Sequence, residues 1–182
     1  MPDTITIIRH AEKPLAKNRA PFGVTAEGEE NFKSLTVKGW QRAGALAVLF
    51  AHGSSAIGLR RPTLIYASSP SGPSRRPIET IMPLAAKLHI TPNVSFTKGD
   101  EAALAADVLT QDGHVLICWQ HEQIPVLAKY LTGQDAVDRP VPALWPDDGY
   151  DDVWSFSRDN DGSWRFTLLA QNIFHHGSET GR

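Results

Sequence analysis

The chain has 182 residues, of which 41% are hydrophobic and 21% charged, and its net charge is −2. This length predicts a single domain over residues 1–182 with a sizeable core. The near-neutral charge argues against nucleic-acid and membrane partners, because both need a concentrated basic face. Cys118 is the single cysteine, so no internal disulfide can form. The amino terminus shows neither a basic leader nor a long apolar stretch, and we therefore expect a cytoplasmic protein.

A buried strand is predicted over Thr4–Ile8, where apolar and β-branched residues dominate. Arg9 and His10 follow it without a spacer. Ligands of open α/β sheets collect beyond the carboxyl ends of the strands, so these two residues lie where a ligand is expected. Lys13 adjoins them and is placed to face an anionic substrate. The polar stretch Leu15–Leu35 is predicted to be a long loop, either a lid or binding loop or a mobile insertion.

Strands and helices alternate along the chain as far as residue 131. After the first strand, the predicted elements are a helix from Thr36 to near Gly53, a strand Leu64–Ala67, a helix from Ser74 or Arg75, a strand Val94–Thr97, a helix from about Glu101 to Leu109, a strand His114–Trp119 and a helix from about Gln123 to Leu131. Pro83 should kink or shorten the second helix. This alternation predicts an α/β fold with a largely parallel sheet that is covered on both faces.

The last third of the chain predicts an antiparallel hairpin. Val153–Phe156 and Trp164–Leu168 alternate apolar and polar residues, and we expect them to extend one edge of the sheet. The acidic run Asp147–Asp152 precedes the hairpin. Carboxylates suit hard metal ions, but the spacing lacks the calcium-loop pattern, so the run is predicted to be a solvated loop.

Three strand ends carry the residues that predict a chemistry. They are Arg9 with His10, Arg75 with Arg76, and His121. Two histidines and two or more arginines that converge on one edge of a sheet predict a phosphate pocket. A neutral imidazole can attack phosphorus when a carbonyl holds its other nitrogen. The guanidiniums and the second imidazole would stabilise charge during transfer, so we expect neither a metal nor a cofactor.

The same residues carry a resemblance to a known family. Four sequence features resemble the histidine phosphatase superfamily, also called phosphoglycerate mutase-like, over roughly Thr4 to Leu131. They are Arg9-His10-Ala11-Glu12, Leu35-Thr36-x-x-Gly39-x-x-Arg42-Ala43, Ser68-Ser69-Pro70 with Arg76-x-x-Glu79-Thr80, and the late strand that ends in His121. The resemblance implies a three-layer α/β/α sandwich. It also implies that His10 is a transient phosphohistidine nucleophile, that Arg9, Arg76 and His121 bind phosphate, and that the chemistry uses no metal.

The sequence departs from the family pattern in places. Ala11 stands where the family usually has glycine, and Ser71-Gly72-Pro73 are extra residues. Counting back from Glu79-Thr80 selects Arg76 as the phosphate ligand, with Arg75 as the alternative.

The general acid stays open between two branches of the family. One branch points to Glu101 or Asp100 and the other to Glu122, and we place Glu101 slightly ahead.

The resemblance implies a phosphatase whose substrate is open. The length disfavours a mutase, and a small phosphorylated metabolite is the first expectation. A phosphohistidine or phosphoprotein phosphatase is one alternative, and a catalytically silent phosphate- or phosphoprotein-binding module is the other. The expected partners are therefore a small phosphorylated substrate or inorganic phosphate, and the oligomeric state is left open.

Overall fold

Five strands form one mixed sheet in the computed structural model, which describes residues 1–53, 58–133, 137–159 and 161–174. In chain order the elements are β1 (Thr4–Arg9), α1 (Val37–His52), β2 (Leu64–Ala67), α2 (Arg76–Leu88), α3 (Glu101–Val108), β3 (His114–Trp119), α4 (Ile124–Thr132), β4 (Asp152–Arg158) and β5 (Trp164–Ala170). One 3₁₀ turn, His121–Gln123, joins β3 to α4. Within the described ranges, no helix has the length and apolar character needed to cross a bilayer.

The strand order β2-β3-β1-β4-β5 brings the predicted strand ends to one edge. The first three strands in this order are parallel, and Arg9 of β1 is in register with Trp119 of β3. The His10 amide donates to the Trp119 carbonyl over 3.1 Å, so β1 and β3 end at the same level of the sheet. β4 and β5 are antiparallel and extend the β1 side. The predicted mostly parallel sheet with an antiparallel hairpin at its edge is confirmed.

Helices cover both faces of the sheet, as the alternation of β3 illustrates. Val115 and Ile117 pack with residues of α3 and α4 in one apolar cluster. Leu116 and Cys118 pack with residues of α1 and α2 in another. Successive strand residues point to opposite faces, so a continuous apolar strand serves two cores. The predicted three-layer α/β/α sandwich is therefore confirmed.

The predicted strand Val94–Thr97 is wrong. The segment runs beside β2, where the Asn93 amide donates to the Ile65 carbonyl over 2.8 Å, but the pairing is a single bridge between Tyr66 and Asn93. The Asn93 side chain accepts from the Ser95 amide over 2.9 Å. This turn directs the amide to a side chain rather than to a neighbouring strand, and regular pairing stops there.

The second helix differs from its prediction in its start and in the effect of its internal proline. α2 begins at Arg76, with Arg75 as its N-cap, one or two residues later than predicted. Pro83 lies inside α2, yet the helix continues to Leu88, so Pro83 does not shorten it.

Candidate active site

β1 ends at a buried imidazole that a carbonyl holds in place. Only 3% of His10 is exposed, and its Nδ1 lies 2.8 Å from the Ala11 carbonyl oxygen. A carbonyl can only accept, so Nδ1 carries the proton and Nε2 carries a free lone pair. The Ala11 amide donates to Thr80 Oγ1 over 2.8 Å, and this hydroxyl donates to the Arg76 carbonyl over 2.7 Å. These bonds fix the strand end against the first turn of α2.

His10 is neutral at physiological pH. Burial lowers its pKa to about 3, against the opposing hydrogen bond to Ala11, and the charges of Arg9, Arg76 and Lys13 add to the shift. Protonation would place a cation among cations in a dry site, which is costly. The imidazole is therefore available as a nucleophile rather than as an acid.

Arg9 is buried beside the site and is not among the residues that line the cavity described below. Its Nη1 donates to the carbonyls of Pro146 over 3.2 Å and of Asp147 over 2.6 Å. The guanidinium lies 3.9 Å from the centre of the Tyr150 ring. Within the described part of the chain, the buried Nε and Nη2 atoms have no hydrogen-bond partner. A buried guanidinium with two unused donors favours an anion with several oxygens.

The two arginines before and at the start of α2 point to different places. Arg76 lines the cavity described below, and its Nη2 donates to the Phe32 carbonyl over 2.7 Å. Arg75 is half exposed, and its Nε lies 3.4 Å from a carboxylate oxygen of Glu79. The structure therefore brings Arg76 to the site and leaves Arg75 outside the cavity lining.

His121 faces His10 from the neighbouring strand end. The two rings are perpendicular, with centroids 6.4 Å apart. His121 Nε2 lies 2.9 Å from a carboxylate oxygen of Asp147, and Nδ1 lies 3.0 Å from Glu122 Oε2 without the alignment of a hydrogen bond. Burial and the charge of Arg9 lower the pKa of His121, while Asp147 and Glu122 act in the opposite direction.

A cavity of about 170 Å³ lies between these strand ends. Its lining comprises His10, Lys13, Pro73, Ser74, Arg76, Lys98, Gln120, His121 and Glu122. Three of these residues are permanent cations and two are imidazoles, so the cavity attracts anions. The predicted substrate-binding Lys13 is among them. In the described ranges, no group of three or more His, Cys, Asp and Glu side chains is arranged to hold a metal ion.

Solved structures share this architecture, whereas no family model and no curated protein matches the chain. The protein histidine phosphatase SixA, complexed with tungstate, matches with a TM-score of 0.55 and 15% identity, over 92% of this chain and 97% of that one. A candidate phosphohistidine phosphatase SixA from Agrobacterium tumefaciens matches with a TM-score of 0.55 and 16% identity, over 92% and 98%. A candidate alpha-ribazole-5'-P phosphatase from Escherichia coli matches with a TM-score of 0.50 and 14% identity, over 94% and 98%.

The chain has the histidine phosphatase fold. The resemblance inferred from the motifs agrees with the path of the chain over 92–94% of its length.

Within this histidine phosphatase fold, only one of the three predicted general-acid candidates lines the cavity. Glu101 is buried, and its Oε1 accepts from the Trp119 indole over 3.0 Å and from the Gly99 amide over 3.1 Å. Asp100 accepts from the Thr97 amide over 2.9 Å. Both carboxylates satisfy donors of the scaffold, as buried indole and amide groups require. Glu122 is the candidate at the cavity.

Glu122 is held ionised. Burial raises its pKa, but a hydrogen bond from Lys98 over 2.6 Å and the charge of this lysine outweigh burial, so the pKa lies below its usual range. As an acid it would first have to gain a proton.

The remaining motif residues of the histidine phosphatase fold hold the site together. Arg42 donates from Nε and Nη2 to the Glu12 carboxylate over 3.0–3.1 Å in a buried ion pair. Thr36 Oγ1 donates to the Glu12 carbonyl over 3.2 Å. Glu79 accepts from the Ser34 hydroxyl over 2.8 Å. These contacts tie the loop after β1 to α1 and α2.

Two residues of the acidic run reach the site. Asp147 contacts His121 and Arg9, and Tyr150 lies under the Arg9 guanidinium. The prediction that this run is solvated holds for the exposed Asp147 side chain and is wrong for Tyr150, which packs on Arg9. One signal in the sequence could have indicated this. Trp145 precedes the run and Tyr150 lies within it, and aromatic residues of this kind indicate that a loop packs against the core.

Proposed function

We propose that the chain is a metal-independent phosphatase that hydrolyses phosphomonoesters of small metabolites through a phosphohistidine on His10. One observation carries this proposal. His10 is a neutral imidazole with a free Nε2 lone pair, and the preceding residue, Arg9, has two buried donors without a partner among the described residues. A nucleophile next to unused anion-binding groups suits attack on a phosphoryl centre.

The proposed reaction has two balanced steps. In the first, a bond forms between His10 Nε2 and phosphorus while the ester P–O bond breaks, and the leaving oxygen takes a proton. In the second, water attacks phosphorus, the P–N bond breaks, and inorganic phosphate and neutral His10 are released. Arg9 and Arg76 stabilise the equatorial phosphoryl oxygens in both transition states. Glu122 is the carboxyl group at the cavity that would exchange the proton.

The test is hydrolysis of p-nitrophenyl phosphate and a panel of phosphorylated metabolites in the presence of EDTA. Wild-type protein should turn over at least one substrate, and His10→Ala should abolish turnover, because the substitution removes the imidazole that forms the covalent intermediate. His52, an exposed histidine of α1, provides the matched control, and His52→Ala should keep full activity. Activity that needs a metal, or that survives His10→Ala, would contradict the proposal. Tungstate binding without any turnover would instead favour a catalytically silent phosphate-binding module.

A phosphohistidine phosphatase is a second candidate, and the state of Glu122 favours it. This carboxyl is the predicted acid at the cavity, and Lys98 keeps it ionised. A phosphoimidazole bond breaks with less need for an acid than an alkyl ester bond, because imidazole is a better leaving group than an alkoxide. The likeness to SixA structures, described as phosphohistidine phosphatases, agrees with this substrate. Comparing a phosphohistidine peptide with an alkyl phosphate of similar size would distinguish the two.

A further inference from the structure

His121 lies between two carboxylates, those of Asp147 and Glu122. The proposed reaction uses Glu122 to exchange a proton and assigns no role to Asp147. Asp147 accepts a hydrogen bond at Nε2 over 2.9 Å. Glu122 lies 3.0 Å from Nδ1, where the described residues provide no aligned partner. An N–H that donates to a carboxylate fixes the proton on that nitrogen. In neutral His121 the proton is therefore on Nε2, and Nδ1 is an acceptor.

The loop that carries Asp147 is anchored to the core on both sides of this residue. Trp145 is buried, packs on Trp154 with ring centroids 5.1 Å apart, and donates from its indole to the Gly149 carbonyl over 2.8 Å. The Asp147 carbonyl accepts from Arg9 over 2.6 Å. The backbone is thus fixed, although 99% of the Asp147 side chain is exposed. An exposed aspartate in a fixed loop can orient an imidazole without contributing to the core.

Groups of both signs surround His121 in the free protein. Burial, Arg9 and Lys13 favour the neutral imidazole and lower its pKa, whereas Asp147 and Glu122 favour the cation. Of the other groups at the cavity, Lys98 is paired with Glu122 and His10 is neutral. A bound dianion would favour the cation, because it adds negative charge beside the imidazole.

We propose that Asp147 is a positioning residue that holds His121 through Nε2, so that His121 takes up a proton at Nδ1 when a dianionic phosphoryl group binds. The proton comes from solvent on binding and returns to solvent when phosphate leaves. The doubly protonated ring then donates to Asp147 on one side and to the phosphoryl group on the other. This inference rests on the proposed function, since it assigns the phosphoryl group to the cavity beside His121.

The test is calorimetric titration with tungstate, a dianion near neutral pH, in buffers of different ionisation enthalpy. Wild-type protein should take up about one proton for each tungstate bound. Asp147→Ala should take up far fewer protons for each tungstate bound. It should also bind tungstate about tenfold more weakly, because His121 loses the charge-assisted hydrogen bond to Asp147 that supports its protonation. Asp148→Ala is the matched control: it removes the same charge from the next position and should behave as wild type. Asp147→Asn keeps an acceptor without the charge, so it should orient His121 but take up fewer protons.

Each result decides the inference. Equal proton uptake by wild type and Asp147→Ala would overturn it while leaving the phosphatase proposal intact. Equal loss in Asp147→Ala and Asp148→Ala would also overturn it, since the effect would then come from net charge. Absence of tungstate binding by the wild type would overturn both proposals.

Discussion

At the scale of single residues, the two neighbouring arginines Arg75 and Arg76 differ in position, because only Arg76 lines the cavity. Arg76 is held by the Phe32 carbonyl and lines the cavity, so its charge is available to an anion that binds there. Arg75 makes a half-exposed contact with Glu79, and exposed ion pairs of this kind contribute little. Arg76→Ala should weaken tungstate binding about 10–100-fold, whereas Arg75→Ala should change it less than about twofold. Titration calorimetry of both variants measures the difference.

Arg76→Lys separates charge from geometry. Lysine keeps the positive charge but lacks the planar fork, so binding should be intermediate between wild type and Arg76→Ala. A larger loss in Arg75→Ala than in Arg76→Ala would contradict the placement of the two side chains.

The sequence predicts those site residues that strand ends deliver. Arg9 ends β1, His10 follows it and His121 lies just beyond β3; the carboxyl ends of such parallel strands meet at one edge whatever the details of packing. Asp147 is different, because it reaches His121 across 26 residues of chain and its acidic neighbours are typical of a solvated loop. The sequence places Glu101 slightly ahead as general acid, but its carboxylate accepts a hydrogen bond from the buried Trp119 indole. Only tertiary packing reveals this partner.

At the scale of elements, α1 approaches the loop after β1 so closely that one position in the helix requires glycine. A Cβ at Gly39 would lie 2.6 Å from the Glu12 carbonyl oxygen, and backbone atoms there cannot shift cheaply. Gly39→Ala should lower the free energy of unfolding by about 1–3 kcal/mol. It should also lower activity, because Glu12 is two residues from His10. Urea unfolding and the phosphatase assay measure the two effects.

Gly44 of the same helix provides a control with the opposite sign. A Cβ there has no heavy atom within 4 Å. Alanine is the better helix former, so Gly44→Ala should raise the free energy of unfolding by about 0.5–1 kcal/mol. Equal effects of the two substitutions would show that helix propensity, and not the contact with Glu12, decides the role of Gly39.

Element prediction succeeds where local pattern and tertiary packing agree. β1 and β3 are apolar on both faces because helices cover both, and the hairpin alternates as an edge pair does. The segment Val94–Thr97 has a similar β-branched and aromatic composition, but the Asn93 side chain bends the chain before regular pairing can continue. Its failure as a strand depends on one side-chain hydrogen bond, which composition does not reveal.

At the scale of the whole molecule, the buried neutral His10 makes global stability depend on pH. The pKa of His10 is about 3 in the folded chain and near 6.5 when unfolded, so between these values the unfolded state binds a proton that the folded state excludes. Stability therefore falls as pH drops through this window, and it is unaffected well above it. The contribution of His10 amounts to about 2 kcal/mol between pH 8 and pH 5.

His10→Asn removes this term while keeping a polar side chain at the site. The free energy of unfolding, measured in urea at a series of pH values, should fall less steeply below neutral pH in His10→Asn than in wild type. His121, whose pKa is also lowered by burial, acts in the same direction in both proteins, so the difference between the two curves reports His10 alone. The exposed His52→Asn variant should follow the wild-type curve. Parallel curves for wild type and His10→Asn would mean that folded and unfolded chains bind the His10 proton equally well, which would contradict the exclusion of this proton by burial.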